Sequence, residues 1–146
     1  MKKLLVPIDF SDVTHLVIRQ ARDLAKSLNG KIRLIHVAAP EPAFVGDDVG
    51  PQVIRNQKAS KFREEHRQIQ KLSEDLNKDG IETTSLLIQG MTVEEIIKES
   101  KRFGADLIVI GSHGHGAMYN LLMGSVVEGV IKKSKKPVLI VPANNL

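Results

Sequence analysis

Cysteine and tryptophan are absent from the 146 residues, and tyrosine occurs once. Without cysteine the chain can form no disulfide, hold no thiolate-bound metal and use no cysteine nucleophile, which is compatible with a reducing compartment. Aromatic residues make up only 3% of the chain, so its core must be built from Val, Ile and Leu. No stretch approaches the roughly 20 apolar residues that a membrane-spanning helix needs. The apolar run Leu4 to Ile8, after Met1-Lys2-Lys3, is too short for the apolar part of a signal peptide. A cytoplasmic setting is expected. Two glycine motifs are missing as well. No Gly-x4-Gly-Lys-Ser/Thr occurs, and Gly114-x-Gly116 would need a third glycine where Tyr119 stands.

What remains is an ordinary globular composition, 42% hydrophobic and 26% charged with a formal charge of +4. The length fits one domain, spanning 1–146. A weak positive balance favours anionic ligands and decides nothing about nucleic acid. Five runs rich in Val, Ile and Leu stand out: Lys3 to Ile8, Ile32 to Val37, Glu82 to Ile88, Asp106 to Ile110 and Val138 to Val141. The first, fourth and fifth are continuously apolar, as strands covered on both faces should be. Helical spacing fills the intervals. Val17, Ala21, Leu24 and Leu28 lead to Asn29-Gly30, and Phe62, Ile69, Leu72 and Leu76 lead to Asp79-Gly80. Thr92-x-x-Glu95 and Ser125-x-x-Glu128 read as capping boxes that open two further helices. Strict alternation of strand and helix predicts a parallel sheet covered by helices on both faces. The stretch Ala38 to Pro51, with three prolines and two glycines, predicts a surface loop and a candidate lid or partner contact.

Ligands of open α/β sheets gather beyond the carboxyl ends of the strands, where strand order reverses. Asp9 follows the first strand; there it could serve as a base, a ligand contact or a helix-start carboxylate. After the fourth strand comes the densest feature of the chain, Gly111-x2-Gly114-x9-Gly124-Ser125. Glycines let the backbone approach an anion and take left-handed turns. A helix beginning at Gly124-Ser125 would add unpaired N–H groups and a partial positive charge. These features together make an anion cradle without a lysine. His113 and His115 would need carboxylates to hold a metal, and only Asp9 is close enough, so no resident metal is expected. No Ser-His-Asp triad or catalytic carboxylate pair can be assembled, and no catalytic residue is assigned. His36 and His66 read as structural or surface residues. Lys132 to Lys136 reads as a solvated helix end without interleaved aromatics, so no nucleic-acid partner is expected. Lys58 to Lys78 alternates in sign and reads as an exposed helix face.

The glycine motif, the opening Val6-Pro7-Ile8-Asp9 and the closing Ser134-Lys135-Lys136-Pro137-Val138-Leu139-Ile140-Val141-Pro142 together resemble the universal stress protein family in its ATP-binding branch. The resemblance covers nearly the whole chain. It implies a single-domain, five-stranded parallel sheet of order 3-2-1-4-5, Rossmann-like and adenine nucleotide alpha hydrolase-like, with ATP held between strands one and four. By that resemblance Gly111, Ser112, His113, Gly114, Gly124, Ser125 and Val126 surround ribose and phosphates, and Ile110 lies beneath the nucleoside. Pro7, Asp9 and Val37 line the adenine and ribose end, Val37 through its backbone. Mg²⁺ or Mn²⁺ would travel with the phosphates. Asp9-Phe10-Ser11 departs from the family's frequent Asp-Gly-Ser at its middle residue.

The resulting expectation is a stress-linked sensor or regulator with an unidentified protein partner. A slow ATP hydrolase or a nucleotide-transferring enzyme is the alternative, weakened because no Lys or Arg lies between Gly111 and Ser125. A dimeric interaction module that binds no nucleotide is a third reading. The apolar segment Pro137 to Pro142 would lie at a sheet edge and pair two copies into a homodimer.

Overall fold

The computed structural model describes residues 2–38, 52–112 and 124–143. Five strands and four helices alternate along the chain. They are β1 (Lys3–Pro7), α1 (Thr14–Leu28), β2 (Lys31–Ala38), α2 (Gln52–Lys78), β3 (Thr83–Gln89), α3 (Thr92–Phe103), β4 (Leu107–Gly111), α4 (Ser125–Lys133) and β5 (Val138–Val141). All strand pairs are parallel and the order is β3-β2-β1-β4-β5. The expected order is therefore the observed one. The loop expected over Ala38 to Pro51 lies outside the described residues from 39 to 51, while Ala38 itself ends β2.

Each face of the sheet has its own core, because alternate residues of a strand point to opposite sides. Leu4, Val6, Ile32, Leu34 and Val109 meet α1 through Val17 and Ala21, and α2 through Ile69 and Leu76. Leu5, Ile35, Ile108 and Ile110 meet α3 through Ile96 and Phe103, and α4 through Val127 and Val130. β1 lies at the centre, and Leu4, Leu5 and Val6 have no exposed surface at all. The fifth strand corrects an expectation. β5 is apolar but only half-buried from Val138 to Ile140, because it has a neighbour on one side alone.

Helix ends follow the sequence at their carboxyl termini and depart from it at two amino termini. Asn29 closes α1 with φ 50°, and Gly104 closes α3 with φ 70°. Both are left-handed residues that return the chain toward the sheet. Neither expected capping box forms. Thr92 and Ser125 are the first helical residues, not the caps; Met91 and Gly124 hold the cap positions, and neither helix has a side-chain cap hydrogen bond. In a capping box the hydroxyl belongs to the residue before the first helical one, so each helix starts one residue too early for its hydroxyl to serve.

Buried charge on the second face is fully paired. Glu99 is 1% exposed and receives Arg33 at 2.6 Å and Arg102 at 3.1 Å, while the Arg33 guanidinium lies 4.3 Å from the centre of the Phe103 ring. Removing one partner would strand a charge in the interior, so this cluster holds α3 to β2.

Candidate functional site

The amino ends of β1 and β4 are clipped together. The Lys3 N–H donates to the Asp106 carboxylate at 2.9 Å, and the Asp106 N–H donates to the Lys3 carbonyl at 2.8 Å. That first bond, reinforced by nearby lysines, holds the Asp106 carboxyl below the usual aspartate range. Pairing of β1 with β4 is then confined to Leu4 with Leu107 and Leu5 with Ile108. On the outer sides both strands continue: β1 stays with β2 as far as Pro7 and Ile35, and β4 with β5 as far as Gly111 and Val141. The ladder between the two central strands is therefore parted toward their carboxyl ends, at Pro7, which has no N–H to donate, while both strands remain held by their outer neighbours. This is the reversal point of the sheet, with α1 and α2 on one face and α3 and α4 on the other.

On the β1 side, Pro7 and Ile8 are buried and Asp9 is half-buried. The Asp9 Oδ1 accepts the Ser11 N–H at 3.0 Å and lies 3.5 Å from the Thr14 hydroxyl. Asp9 thus organises the turn into α1, as the helix-start reading expected. Phe10 has φ 59°, a left-handed conformation that a residue with a side chain adopts at a cost of about 1–2 kcal/mol. The departure from Asp-Gly-Ser is therefore one of side chain and not of backbone. The Phe10 ring packs on the His36 ring, centroids 4.7 Å apart. His36 is buried, and His66 is exposed on α2.

On the β4 side, Ile110 is buried in the second core and Gly111 is half-buried. Ser112 is 6% exposed. Its N–H donates to Val141, its hydroxyl oxygen accepts the Ala143 N–H at 3.1 Å, and its carbonyl accepts the Gly124 N–H at 2.8 Å. That last bond returns the chain to the end of β4, so positions 112 and 124 are neighbours despite the eleven residues between them. His113 and Gly114 lie outside the described residues. Gly124 has φ −76° and ψ 163°, an extended conformation open to any residue, so no left-handed turn is what requires glycine there. Its missing side chain matters in another way. The first-turn N–H groups of an α-helix have no acceptor within the helix, and Gly124 supplies no side chain to cap those of Ser125, Val126 and Val127.

Val37 lies at the end of β2, 9% exposed. The Ile35 carbonyl accepts the Ile8 N–H, so Val37, two residues on, turns its own backbone groups toward the same side. A parallel ladder would next join the Val37 N–H to the Ile8 carbonyl. That carbonyl instead accepts His36 Nδ1 at 2.8 Å.

The structure thus gathers Pro7, Asp9, Val37, Ile110, Gly111, Ser112, Gly124, Ser125 and Val126 at the carboxyl end of the sheet. Two features escaped the sequence reading. One is the His36–Phe10 contact, which no local pattern announces. The other is Ser11, whose buried hydroxyl oxygen has no hydrogen-bond partner among the described residues. A cavity of about 1160 Å³ lies elsewhere, between the first turn of α1 and the middle of α2, lined by Phe10, Thr14, Ile18, Arg67 and Leu72 among others. It is an open groove between two helices that both rest on the sheet, and it does not coincide with the parted strands.

Comparison with known proteins places this geometry. The chain is 29% identical over 156 aligned residues to the universal stress protein MJ0577 of Methanocaldococcus jannaschii, covering 99% of this chain and 96% of that protein. A solved structure of MJ0577, at 30% identity, superposes with a TM-score of 0.80 over 99% of this chain and 98% of that one. Likeness of fold alone extends to a universal stress protein solved in complex with cAMP (20% identity, TM-score 0.70, 97% and 96% covered). It extends also to one from Archaeoglobus fulgidus in complex with dAMP (21%, 0.64, 97% and 98%). The family model described as the universal stress protein family matches residues 1–142, and this chain belongs to that family.

Proposed function

We propose that the chain binds ATP where β1 and β4 part, and that it acts as a stress-linked regulator instead of a rapid enzyme. The observation that carries this reading is the early end of β1–β4 pairing beside the first turn of α4, which has no side-chain cap among the described residues. Parted strands leave room for a nucleoside, and a helix amino terminus attracts the phosphates through its N–H groups and dipole. Val37 offers backbone groups to a base edge, and Asp9 offers a carboxylate to a ribose. Complexes of two proteins of this fold with cAMP and dAMP support an adenine nucleotide as the ligand class.

Among the described residues no three His, Asp or Glu side chains converge on one point, so Mg²⁺ or Mn²⁺ would arrive on the phosphates and neutralise their charge. No Lys or Arg stands between Gly111 and Ser125 to stabilise charge developing during phosphoryl transfer, which favours retention of ATP over turnover. We also read the chain as cytoplasmic, and as a homodimer paired through the half-buried apolar edge of β5. Light scattering that shows a monomer at tens of micromolar would reject the pairing.

Calorimetry with ATP, GTP and UTP at matched Mg²⁺ tests the site. A clear preference for ATP supports it, equal affinities remove the adenine assignment, and absence of binding favours the interaction-module reading. Phosphate release near the roughly 10 s⁻¹ median of enzymes would replace the regulator with a hydrolase.

A further inference from the structure

One buried ring holds both neighbours of Asp9. The His36 Nδ1 lies 2.8 Å from the carbonyl of Ile8, the residue before Asp9. A carbonyl only accepts, so Nδ1 carries the proton of that bond. The ring of Phe10, the residue after Asp9, packs on the imidazole at 4.7 Å. The opposite ring nitrogen, Nε2, lies 2.8 Å from Oε2 of Glu65 on α2, and that contact requires one proton between the two atoms. The imidazole is thus fixed at both ends, and its ring orientation is set by a helix that carries none of the residues assigned to the site.

Two consequences follow for the parted strands. First, Phe10 is kept in its left-handed conformation, and with it the Asp9 carboxylate in the turn that Ser11 and Thr14 complete. Strained backbone persists only where its surroundings over-determine it; the Phe10 ring is held between the His36 imidazole and the first core. Second, His36 donates to the Ile8 carbonyl, the next acceptor in the β1–β2 ladder, and no bond between the Val37 N–H and that carbonyl is formed. The Val37 N–H, on the β1 side of β2, is left without that ladder bond.

We propose that His36, fastened by Glu65, is the positioning residue of this site: it sets the Asp9 turn and releases the Val37 N–H for a nucleotide base. This rests on the assignment of an adenine nucleotide to the parted strands, and it makes α2 part of the binding apparatus without touching the ligand.

The test compares wild type, Glu65→Ala and Glu65→Gln by ATP titration with Mg²⁺, by thermal melting, and by the amide resonances of Phe10, Ser11 and Val37 without nucleotide. Glu65→Ala leaves the ring unfastened, so ATP affinity should fall roughly tenfold or more and the three resonances should move. A glutamine amide can donate to Nε2, so Glu65→Gln should restore both affinity and resonances. A change in melting temperature without these effects would mean that Glu65 only stabilises the fold. Folded Glu65→Ala with wild-type resonances and wild-type affinity would overturn the proposal. Should wild type bind no ATP, the nucleotide assignment fails by itself; the resonances then decide whether His36 positions the turn, and unmoved resonances overturn that part.

Discussion

The two turns that flank the parted strands are held by opposite means. The β1–α1 turn depends on side chains: the Asp9 carboxylate, a Phe10 ring in left-handed backbone, the His36 imidazole and, behind it, Glu65. At the β4–α4 junction the described ends, Ser112 and Gly124, meet through backbone groups. Gly124 donates to the Ser112 carbonyl, and no side chain of Gly124 or Ser125 caps the helix. The difference teaches what each side can offer. A turn braced by side chains can fix one carboxylate in place. A helix start at a glycine leaves its first-turn N–H donors open to an anion at close range.

The comparison can be broken most severely at His36. His36→Ala removes packing and strands both the Ile8 carbonyl and the Glu65 carboxylate, so a loss of about 2–4 kcal/mol is expected, read from chemical denaturation. On the other side, Gly124→Pro suits φ −76° but deletes the donor to Ser112; about 1–2 kcal/mol should be lost. A loss as large as that at His36 would mean that the junction, too, depends on more than one backbone bond.

Phe10 separates strain from packing. Phe10→Ala keeps the left-handed strain and loses the ring, whereas Phe10→Gly loses the ring and the strain together. The glycine variant should therefore be the more stable of the two by about 1 kcal/mol. Equal stabilities would show that the turn relaxes once the ring is gone. Ser125→Ala should be smaller still, under about 0.5 kcal/mol, because the hydroxyl makes no cap; a lost cap would cost about 1 kcal/mol.

The smallest effect concerns the clipped amino ends of the same two strands. The Asp106 carboxyl titrates below the usual range, chiefly through the Lys3 N–H. Its contribution is complete above the ordinary aspartate range and is lost as pH falls through the lower folded value. The stability difference between wild type and Asp106→Asn, followed by urea midpoints, should be constant near neutrality and shrink only in acid. A difference that grows on acidification would contradict that sign.

The order of elements, the strand runs, the place of Gly111 and Gly124 and the helix ends at Asn29-Gly30 and Asp79-Gly80 were legible in the chain. All of them rest on residues near in sequence: short runs of Val, Ile and Leu, helical spacing of apolar residues, and glycine or asparagine where a helix must reverse. Two local rules misled. Thr92-x-x-Glu95 and Ser125-x-x-Glu128 have the spacing of capping boxes, yet each helix begins one residue early, with Met91 and Gly124 at the cap positions. Likewise Val138 to Ile140 is apolar enough for a strand covered on both faces, and only its position at the edge leaves it half-buried.

The sequence by itself determined which residues pair into strands and where the chain could cradle an anion, since periodicity and glycine are local properties. Only the tertiary structure decided how the two neighbours of Asp9, Ile8 and Phe10, are held. His36 is 27 residues from Asp9 and Glu65 a further 29 along the chain; parallel crossovers bring β2 beside β1 and lay α2 over β2 and β3, so that Glu65 reaches His36. No spacing rule spans that distance. Their contact exists only once the sheet has assembled, when burial removes the water that would otherwise satisfy the imidazole, the carbonyl and the carboxylate separately.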